Sequence, residues 1–227
     1  MTFRAIFALL ILSACGRPLS DNEAAFVDRM NGGEVDATQV RLIEGVPVGS
    51  VTFKRAARPR ATCRERILPP QKSETVTVKP GAVSLFNRVY MRQDLFVEDY
   101  MKDYPEEISL LATMFFSHEM THVWQWQNRD KTGYHPFKAA VEHTQSEDPY
   151  LFEIGNSAGF LDFGYEQQAS IVEEYVCCRA LAENAPRTQR LHAMISQSFP
   201  VAGLDEDLLG SAVRIPWSGA EVDGICD

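Results

Sequence analysis

The middle of the chain contains an HExxH motif inside an apolar run. Residues 118–122 read His-Glu-Met-Thr-His, with apolar residues on both sides. In an α-helix, side chains four residues apart leave the same face roughly 6 Å from each other, so His118 and His122 can bind one metal ion. Glu119 lies about 100° round the helix, where its carboxylate can reach a water without being a ligand. The spacing predicts a zinc centre with Glu119 as general base.

The helix that carries this motif is predicted to be buried at the centre of a domain, because apolar residues occur nearly all round it. Pro105-Glu106-Glu107 has the composition of a helix start, and the polar segment from Asn128 to Gly133 ends the pattern. Two core histidines without metal are the alternative. Burial alone, however, does not explain a glutamate between paired histidines.

A catalytic zinc normally has three protein ligands, so a third ligand is expected elsewhere in the chain. Residues 165–184 have an apolar face of helical period, and Pro186 ends the pattern. On that helix Glu166, Ser170 and Glu173 share one side, because offsets of four and seven residues return to nearly the same angle. Either Glu166 or Glu173 can therefore face the histidine pair.

The segments His-Glu-Met-Thr-His-Val-Trp-Gln and Glu-Gln-Gln-Ala-Ser-Ile-Val-Glu resemble the gluzincin branch of the zinc metallopeptidases. More closely, they are similar to small bacterial Vgr-related proteins and to peptidase domains associated with contractile injection systems. The resemblance covers roughly residues 83–180. It implies that Zn2+ is bound by His118, His122 and Glu166, and that Glu119 is the catalytic base. Glu173 remains the alternative third ligand.

The resemblance also implies an α+β, zincin-like fold. In that fold a small mixed or antiparallel sheet packs on the buried HExxH helix and on a second, ligand-bearing helix. The segment Val83 to Met91 is nominated as the strand that lies antiparallel to a bound substrate. Ser170 stands where the gluzincin pattern has an aspartate that orients a histidine. Its hydroxyl can still accept a hydrogen bond from an imidazole N–H, but it contributes no charge.

The first residues have the pattern of a bacterial lipoprotein signal peptide. Arg4 precedes an apolar stretch too short to span a bilayer. The tetrapeptide Leu-Ser-Ala-Cys at 12–15 resembles the lipobox, which implies acylation of Cys15, including by palmitate. An ordinary secretory signal is the alternative. We therefore expect a signal peptide over residues 1–14, a lipidated tether and short helix over 15–35, and a single zincin-like domain over 36–227.

Export to an oxidising compartment lets disulfides persist, and four cysteines remain beyond Cys15. Adjacent cysteines rarely bond to each other, so Cys177 and Cys178 are expected to pair with Cys63 and Cys226 in one of two orders. A thiolate zinc site is the alternative, but no CxxC spacing supports it.

The net charge of the chain limits the kinds of partner that it can bind. A formal charge of -9 leaves no electrostatic footprint for nucleic acid or for anionic lipid head groups. The arginines between residues 55 and 66 form a local basic stretch, for which a solvated loop is expected rather than a surface that grips an acidic partner. Glu174 is likewise expected to be solvated.

Other segments carry weaker signals. Val46 to Phe53 is predicted as a first strand, and the segments Thr75 to Val78 and Ala82 to Met91 are predicted to pair as a hairpin.

Residues 134–164 are predicted to form a glycine-bearing binding loop or lid. His135 and His143 in this segment are expected to be surface histidines, with assistance in catalysis as the alternative. Three tyrosines could donate a hydrogen bond to a developing oxyanion, although packing in the core is the default expectation for each. They are Tyr134, Tyr165 and Tyr175.

Together these features predict a zinc-dependent metallopeptidase, an endopeptidase rather than an exopeptidase, that acts on a peptide or protein substrate. The lipid anchor places it in the bacterial envelope, in the outer membrane facing the periplasm. One alternative is a non-catalytic metal-binding lipoprotein that serves a secretion system or cell-wall assembly. Another is a lipid-anchored binding protein without metal. Because histidine must be neutral to bind zinc, metal release is expected below about pH 6.

Overall fold

Two long helices form the centre of the molecule. The computed structural model describes residues 16–46, 53–154 and 159–227, and within them α3 (Leu110–Gln127) packs along α6 (Tyr165–Leu181). The side chains of both helices are buried along most of their lengths, as the all-round apolar pattern of α3 predicts. The polar groups that these helices carry therefore need partners inside the protein.

The start of α3 differs from the prediction. Pro105 follows Tyr104 through a cis peptide bond, and strand β6 (Glu107–Ser109) pairs in parallel with β7 (Ala212–Arg214). The helix begins only at Leu110 because this pairing with a distant segment outweighs the local helix-start signal. The predicted end is confirmed, since Asn128 is the C-cap.

The strands form three small sheets in the described part of the chain, which together with the helices makes an α+β architecture. The largest sheet has the order β1-β5-β4, with β1 parallel and β4 antiparallel to β5. Its strands are β1 (Arg41–Glu44), β4 (Ala82–Leu85) and β5 (Arg88–Met91). A second sheet contains β2 (Phe53–Ala56) and β3 (Thr75–Val78), which run antiparallel.

The predicted hairpin is wrong in its pairing. β3 pairs with β2 instead of with β4, and Ala82 to Met91 folds into a hairpin of its own around Phe86 and Asn87. Strand pairing depends on partners far along the chain, and no local sequence signal predicts that β2 is the partner of β3. The predicted strand from Val46 to Phe53 lies almost entirely outside the described residues.

The remaining helices surround this centre. The predicted N-terminal helix is confirmed as α1 (Asp21–Asn31), capped by Ser20 and ended by Gly32. No helix among the described residues is both long and apolar enough to cross a membrane. Cys15 and the signal-peptide segment lie outside the described residues. The other helices are α2 (Cys63–Ile67), α4 (Arg129–Thr132), α5 (Pro136–Gln145), α7 (Pro186–Ile195) and α8 (Ala202–Gly210), with 3₁₀ turns at Ala37–Gln39 and Phe160–Asp162.

The connection between the two central helices is not simply a loop. Helix α5 occupies its first part, with Pro136 in the first turn and His135 as N-cap. Proline at the first helical position and an N-cap that accepts a backbone hydrogen bond are both helix-start signals.

Two disulfides fasten peripheral segments to α6. Cys63 bonds to Cys177, and Cys178 bonds to Cys226, so the neighbouring cysteines reach outward in opposite directions. This confirms the expected partners and decides between the two orders. These four sulfurs are consumed in disulfides, so none of the four cysteines offers a thiolate to zinc.

Candidate metal centre

His118, His122 and Glu166 converge at the interface of α3 and α6. The Nε2 atoms of His118 and His122 each lie 3.3 Å from Oε2 of Glu166. None of the three residues is more than 8% exposed. The one-turn spacing of the histidines and the position of Glu166 in the first turn of α6 together bring three donor atoms to one point.

The chemistry of these donors fits a bound cation. Nδ1 of His122 lies 2.9 Å from Oε1 of Gln125, whose amide nitrogen donates to the carbonyl of Tyr165 and to Gln168. The amide oxygen is thereby turned towards the ring, so a neutral His122 carries its proton on Nδ1 and a lone pair on Nε2. A lone pair that faces a carboxylate oxygen requires a proton or a cation between them. Two imidazole nitrogens and one carboxylate are an ordinary zinc donor set.

Glu173 approaches the other side of the His118 ring. Its Oε2 lies 3.2 Å from Nδ1 of His118, close enough for an ion pair, although the angle is not that of a hydrogen bond. Its Oε1 forms a salt bridge with Arg64 on α2. Glu173 therefore contacts the imidazole from outside the cluster of donor atoms, and of the two glutamates it is Glu166 whose carboxylate joins the two histidines.

Ser170 does not orient a histidine, which is the role of the aspartate that the gluzincin pattern has at this position. It is buried, but it makes no hydrogen bond to either histidine within the described residues. The carboxylate of Glu173, one turn further along α6, reaches His118 instead.

Glu119 lies beside the donor cluster without joining it. Its Oε2 accepts a hydrogen bond of 2.9 Å from Oγ of Ser84 on β4. Burial raises the pKa of Glu119, and the neighbouring His118 and His122 act in the opposite direction. A raised pKa makes a carboxylate a stronger base towards a neighbouring water molecule.

The histidines and carboxylates of the centre shift one another's pKa values. Burial opposes protonation of His118, but Glu166 and Glu173 more than offset it and raise the pKa of His118 to about 10. The pKa of His122 is raised as well, against its burial, chiefly by Glu166. The pKa of Glu166 is held well below its usual value by His122 and the other imidazoles, although burial acts the other way. Without metal, the carboxylates therefore favour protonated imidazoles at this point.

His143 and Tyr150 also belong to this site. The sequence leaves a catalytic role open for His143 and indicates none for Tyr150. Nε2 of His143, on α5, lies 2.9 Å from Oε1 of Glu166. The ring of Tyr150 lies 5.8 Å from that of His118 and 5.7 Å from that of His143. His143 is exposed, as a surface histidine is expected to be, but its ring also reaches Glu166, whereas His135 serves as the cap of α5. No motif spacing connects His143 to the HExxH helix.

The three tyrosines named from the sequence lie in different places. Tyr134 is near the centre, with its ring 6.3 Å from that of His122. The hydroxyl of Tyr165 donates to the carbonyl of Gly133, and that of Tyr175 donates to Asp205. The last two are therefore occupied by structural hydrogen bonds.

The basic stretch between residues 55 and 66 is not a solvated loop, so that prediction is wrong. Arg58 makes two hydrogen bonds of 2.6 Å to the carboxylate of Asp148, and Arg64 pairs with Glu173. These arginines bind carboxylates of their own chain, because buried acidic groups need a counter-charge. They hold the segment that contains Tyr150 and the carboxylate beside His118.

Glu174 is also buried rather than solvated. It forms a salt bridge of 2.7 Å with Arg187 and accepts a hydrogen bond of 3.0 Å from the backbone N–H of Cys63. Burial raises its pKa to about 7, against the opposing effect of Arg187.

Among solved structures, the effector domain of Pseudomonas aeruginosa VgrG2b is similar to this chain. The sequence identity is 24% and the TM-score is 0.49, over 82% of this chain and 87% of that one. The neighbour is Vgr-related by name, as are the proteins that the two motifs resemble. At this TM-score the likeness assigns neither a fold nor an activity to this chain. No protein-family model and no curated protein matches the sequence.

Proposed function

We propose that the protein is a zinc-dependent endopeptidase with a zincin-like fold. The observation that carries the proposal is the convergence of His118 Nε2, His122 Nε2 and Glu166 Oε2 within 3.3 Å contacts, with Glu119 beside them. His118, His122 and Glu166 would hold the metal. When bound, zinc supplies a Lewis acid for a peptide carbonyl and lowers the pKa of a water molecule.

Glu119 has the part of the general base. It takes a proton from the attacking water and returns it to the leaving amine, for which its raised pKa is suited. The hydrogen bond from Ser84 fixes the orientation of the carboxylate. His143 and Tyr150 stand at the same site and would contact the substrate or hold Glu166 in place.

The substrate is proposed to lie along β4. This strand is the last in the order β1-β5-β4, so its outer edge is unpaired in the described part of the chain. An extended peptide can add to such an edge through main-chain hydrogen bonds. Ser84 donates a hydrogen bond to Glu119, so a peptide bound along β4 would have its scissile bond beside the middle of the strand.

The protein is proposed to act in the bacterial envelope, anchored through a lipid on Cys15. The two disulfides support export, because such bonds persist in oxidising compartments. A protein at that location would act on peptide or protein substrates outside the cytoplasm.

A second function is favoured by the position of His143. If His143 became a fourth ligand beside Glu166, the metal would have no open position and the site would be structural. The protein would then be a non-catalytic metal-binding lipoprotein that serves a secretion system or cell-wall assembly.

The two functions are separated by cleavage of a denatured protein mixture, with mass-spectrometric mapping of new termini. Wild type should produce new termini, whereas Glu119→Gln should keep its zinc and produce none. Equal product patterns from the two proteins contradict the assignment of the base. If wild type is inactive and His143→Ala gains activity, the closed structural site is the correct reading.

A further inference from the structure

Strand β4 runs beside α3 and touches it at three points. A Cβ added to Gly81 would lie 2.9 Å from the ring of Phe115, so strand and helix are in close contact there. Ser84 donates its hydrogen bond to Glu119 at the next point. At the third, the rings of Phe86 and Trp126 meet edge to face, with centroids 4.6 Å apart.

The lengths of the two segments agree. From Phe115 to Trp126 the helix advances about 16 Å at 1.5 Å per residue. From Gly81 to Phe86 an extended chain also advances about 16 Å at 3.3 Å per residue. Strand and helix therefore run in the same direction, and the Phe86–Trp126 pair lies about 10 Å along the helix from Glu119.

Phe86 occupies a turn position whose backbone conformation disfavours an aromatic residue. It is the first of two residues in the β4–β5 turn and has a φ of 60°, which favours glycine. Its side chain is 44% exposed. Residues held in such conformations cluster at functional sites. Trp126 is fixed from another side by Arg129, whose guanidinium carbon lies 4.6 Å from the ring centroid.

We propose that Phe86 and Trp126 form a subsite for a large apolar side chain of the peptide substrate. The proposal rests on the peptidase function, which places a peptide antiparallel to β4 with its scissile bond beside Ser84 and Glu119. An antiparallel peptide presents its N-terminal part to the end of β4. The apolar side chain is therefore two or three residues to the N-terminal side of the scissile bond, since about 7 to 10 Å of extended chain separates the two points.

The test measures peptide binding to zinc-loaded Glu119→Gln protein by isothermal titration calorimetry. The probes are acetyl-Ala-Phe-Ala-Ala-Ala-Ala-amide and the same hexapeptide with Ala in place of Phe. We expect the Phe peptide to bind about tenfold more tightly, which corresponds to about 1.4 kcal/mol. Adding Phe86→Gly should remove the difference and change the melting temperature little, because glycine suits the turn while the contact with the Trp126 ring is lost. The matched control is Leu209→Ala, an exposed apolar residue on α8, which should keep the difference.

Cleavage by wild type then gives the position of the subsite. The bond cut in the Phe peptide should lie one or two residues beyond Phe. A preference that survives Phe86→Gly, or an equal affinity of the Glu119→Gln protein for both peptides, overturns the subsite. If the preference for Phe depends on Phe86 but wild type cuts neither peptide, the subsite stands and the peptidase function is wrong.

Discussion

Oε2 of Glu173 lies 3.2 Å from Nδ1 of His118, while Nε2 of the same ring faces Glu166. A carboxylate at the remote nitrogen of a metal-binding imidazole fixes the orientation of the ring and makes it a better donor. The salt bridge to Arg64 lowers the pKa of Glu173 to about 2, although burial acts the other way. Glu173 thus brings to His118 the negative charge that Ser170 cannot supply.

We predict that Glu173→Gln weakens zinc binding about 10- to 100-fold, the usual effect of losing such a contact. Ser170→Ala, on the same helix, should leave the affinity within a factor of about 2 because Ser170 does not touch either ring. Competition with a chromophoric chelator measures both. A larger loss in Ser170→Ala than in Glu173→Gln contradicts this assignment.

Zinc binding should release protons at neutral pH. The pKa of His118 is about 10 in the metal-free protein, so at pH 7 its ring is protonated and must lose that proton to bind zinc. Affinity should therefore keep rising with pH by about tenfold per unit above neutrality, whereas a histidine of ordinary pKa predicts a plateau above about pH 7. Calorimetry in buffers of different ionisation enthalpy counts the protons. A count of zero shows that His118 is neutral before zinc arrives.

Glu174 should make the protein less stable as the pH rises. Its pKa is about 7 in the folded protein, against a reference value of 4.5, so between these values only the folded state retains the proton. The free energy of unfolding then falls with rising pH across this window. Glu174→Gln removes this dependence, so its stability relative to wild type should increase between about pH 5 and about pH 8 by up to a few kcal/mol. Urea unfolding at both pH values measures the difference, and the exposed Glu98→Gln is the matched control.

The Cys63–Cys177 disulfide should support the metal centre as well as the fold. It joins residues 114 apart in sequence and fixes α2, the helix that carries Arg64. Replacing both cysteines by serine should cost about 2 to 5 kcal/mol of stability. Zinc affinity should also fall, because Arg64 is no longer held at Glu173.

The second disulfide provides the control. Cys178–Cys226 has no cysteine on α2, and the segment before Cys226 contacts that helix through hydrogen bonds from Arg66 to the carbonyls of Asp223 and Gly224. Its double serine variant should therefore lose stability but lose less zinc affinity than the Cys63–Cys177 variant. Equal zinc affinities in the two double variants contradict the role assigned to α2 and Arg64.

The parts of the site that the sequence predicted are those that depend on local spacing. Helical period alone places His118 and His122 on one face and Glu166 on the same side of α6 as Glu173. It could not decide which glutamate contacts which atom, because that depends on how α6 is set against α3.

Other groups reach the centre from segments that are distant in sequence. His143 comes from α5 and Arg64 from α2, and neither has a fixed spacing to the HExxH motif. The pairing of β3 with β2 was missed for the same reason. The turn at Phe86 contains no glycine, so the sequence predicts one continuous strand where the structure has the β4–β5 hairpin.

The most direct measurement is the zinc content of protein purified without chelators or nickel. We predict about one zinc per chain in wild type and in Glu119→Gln, and nearly none in His118→Ala, His122→Ala or Glu166→Ala, as expected for a three-ligand site. A metal-free wild type, or a Glu166→Ala protein that keeps its full zinc content, would contradict the convergence of these three side chains on one ion.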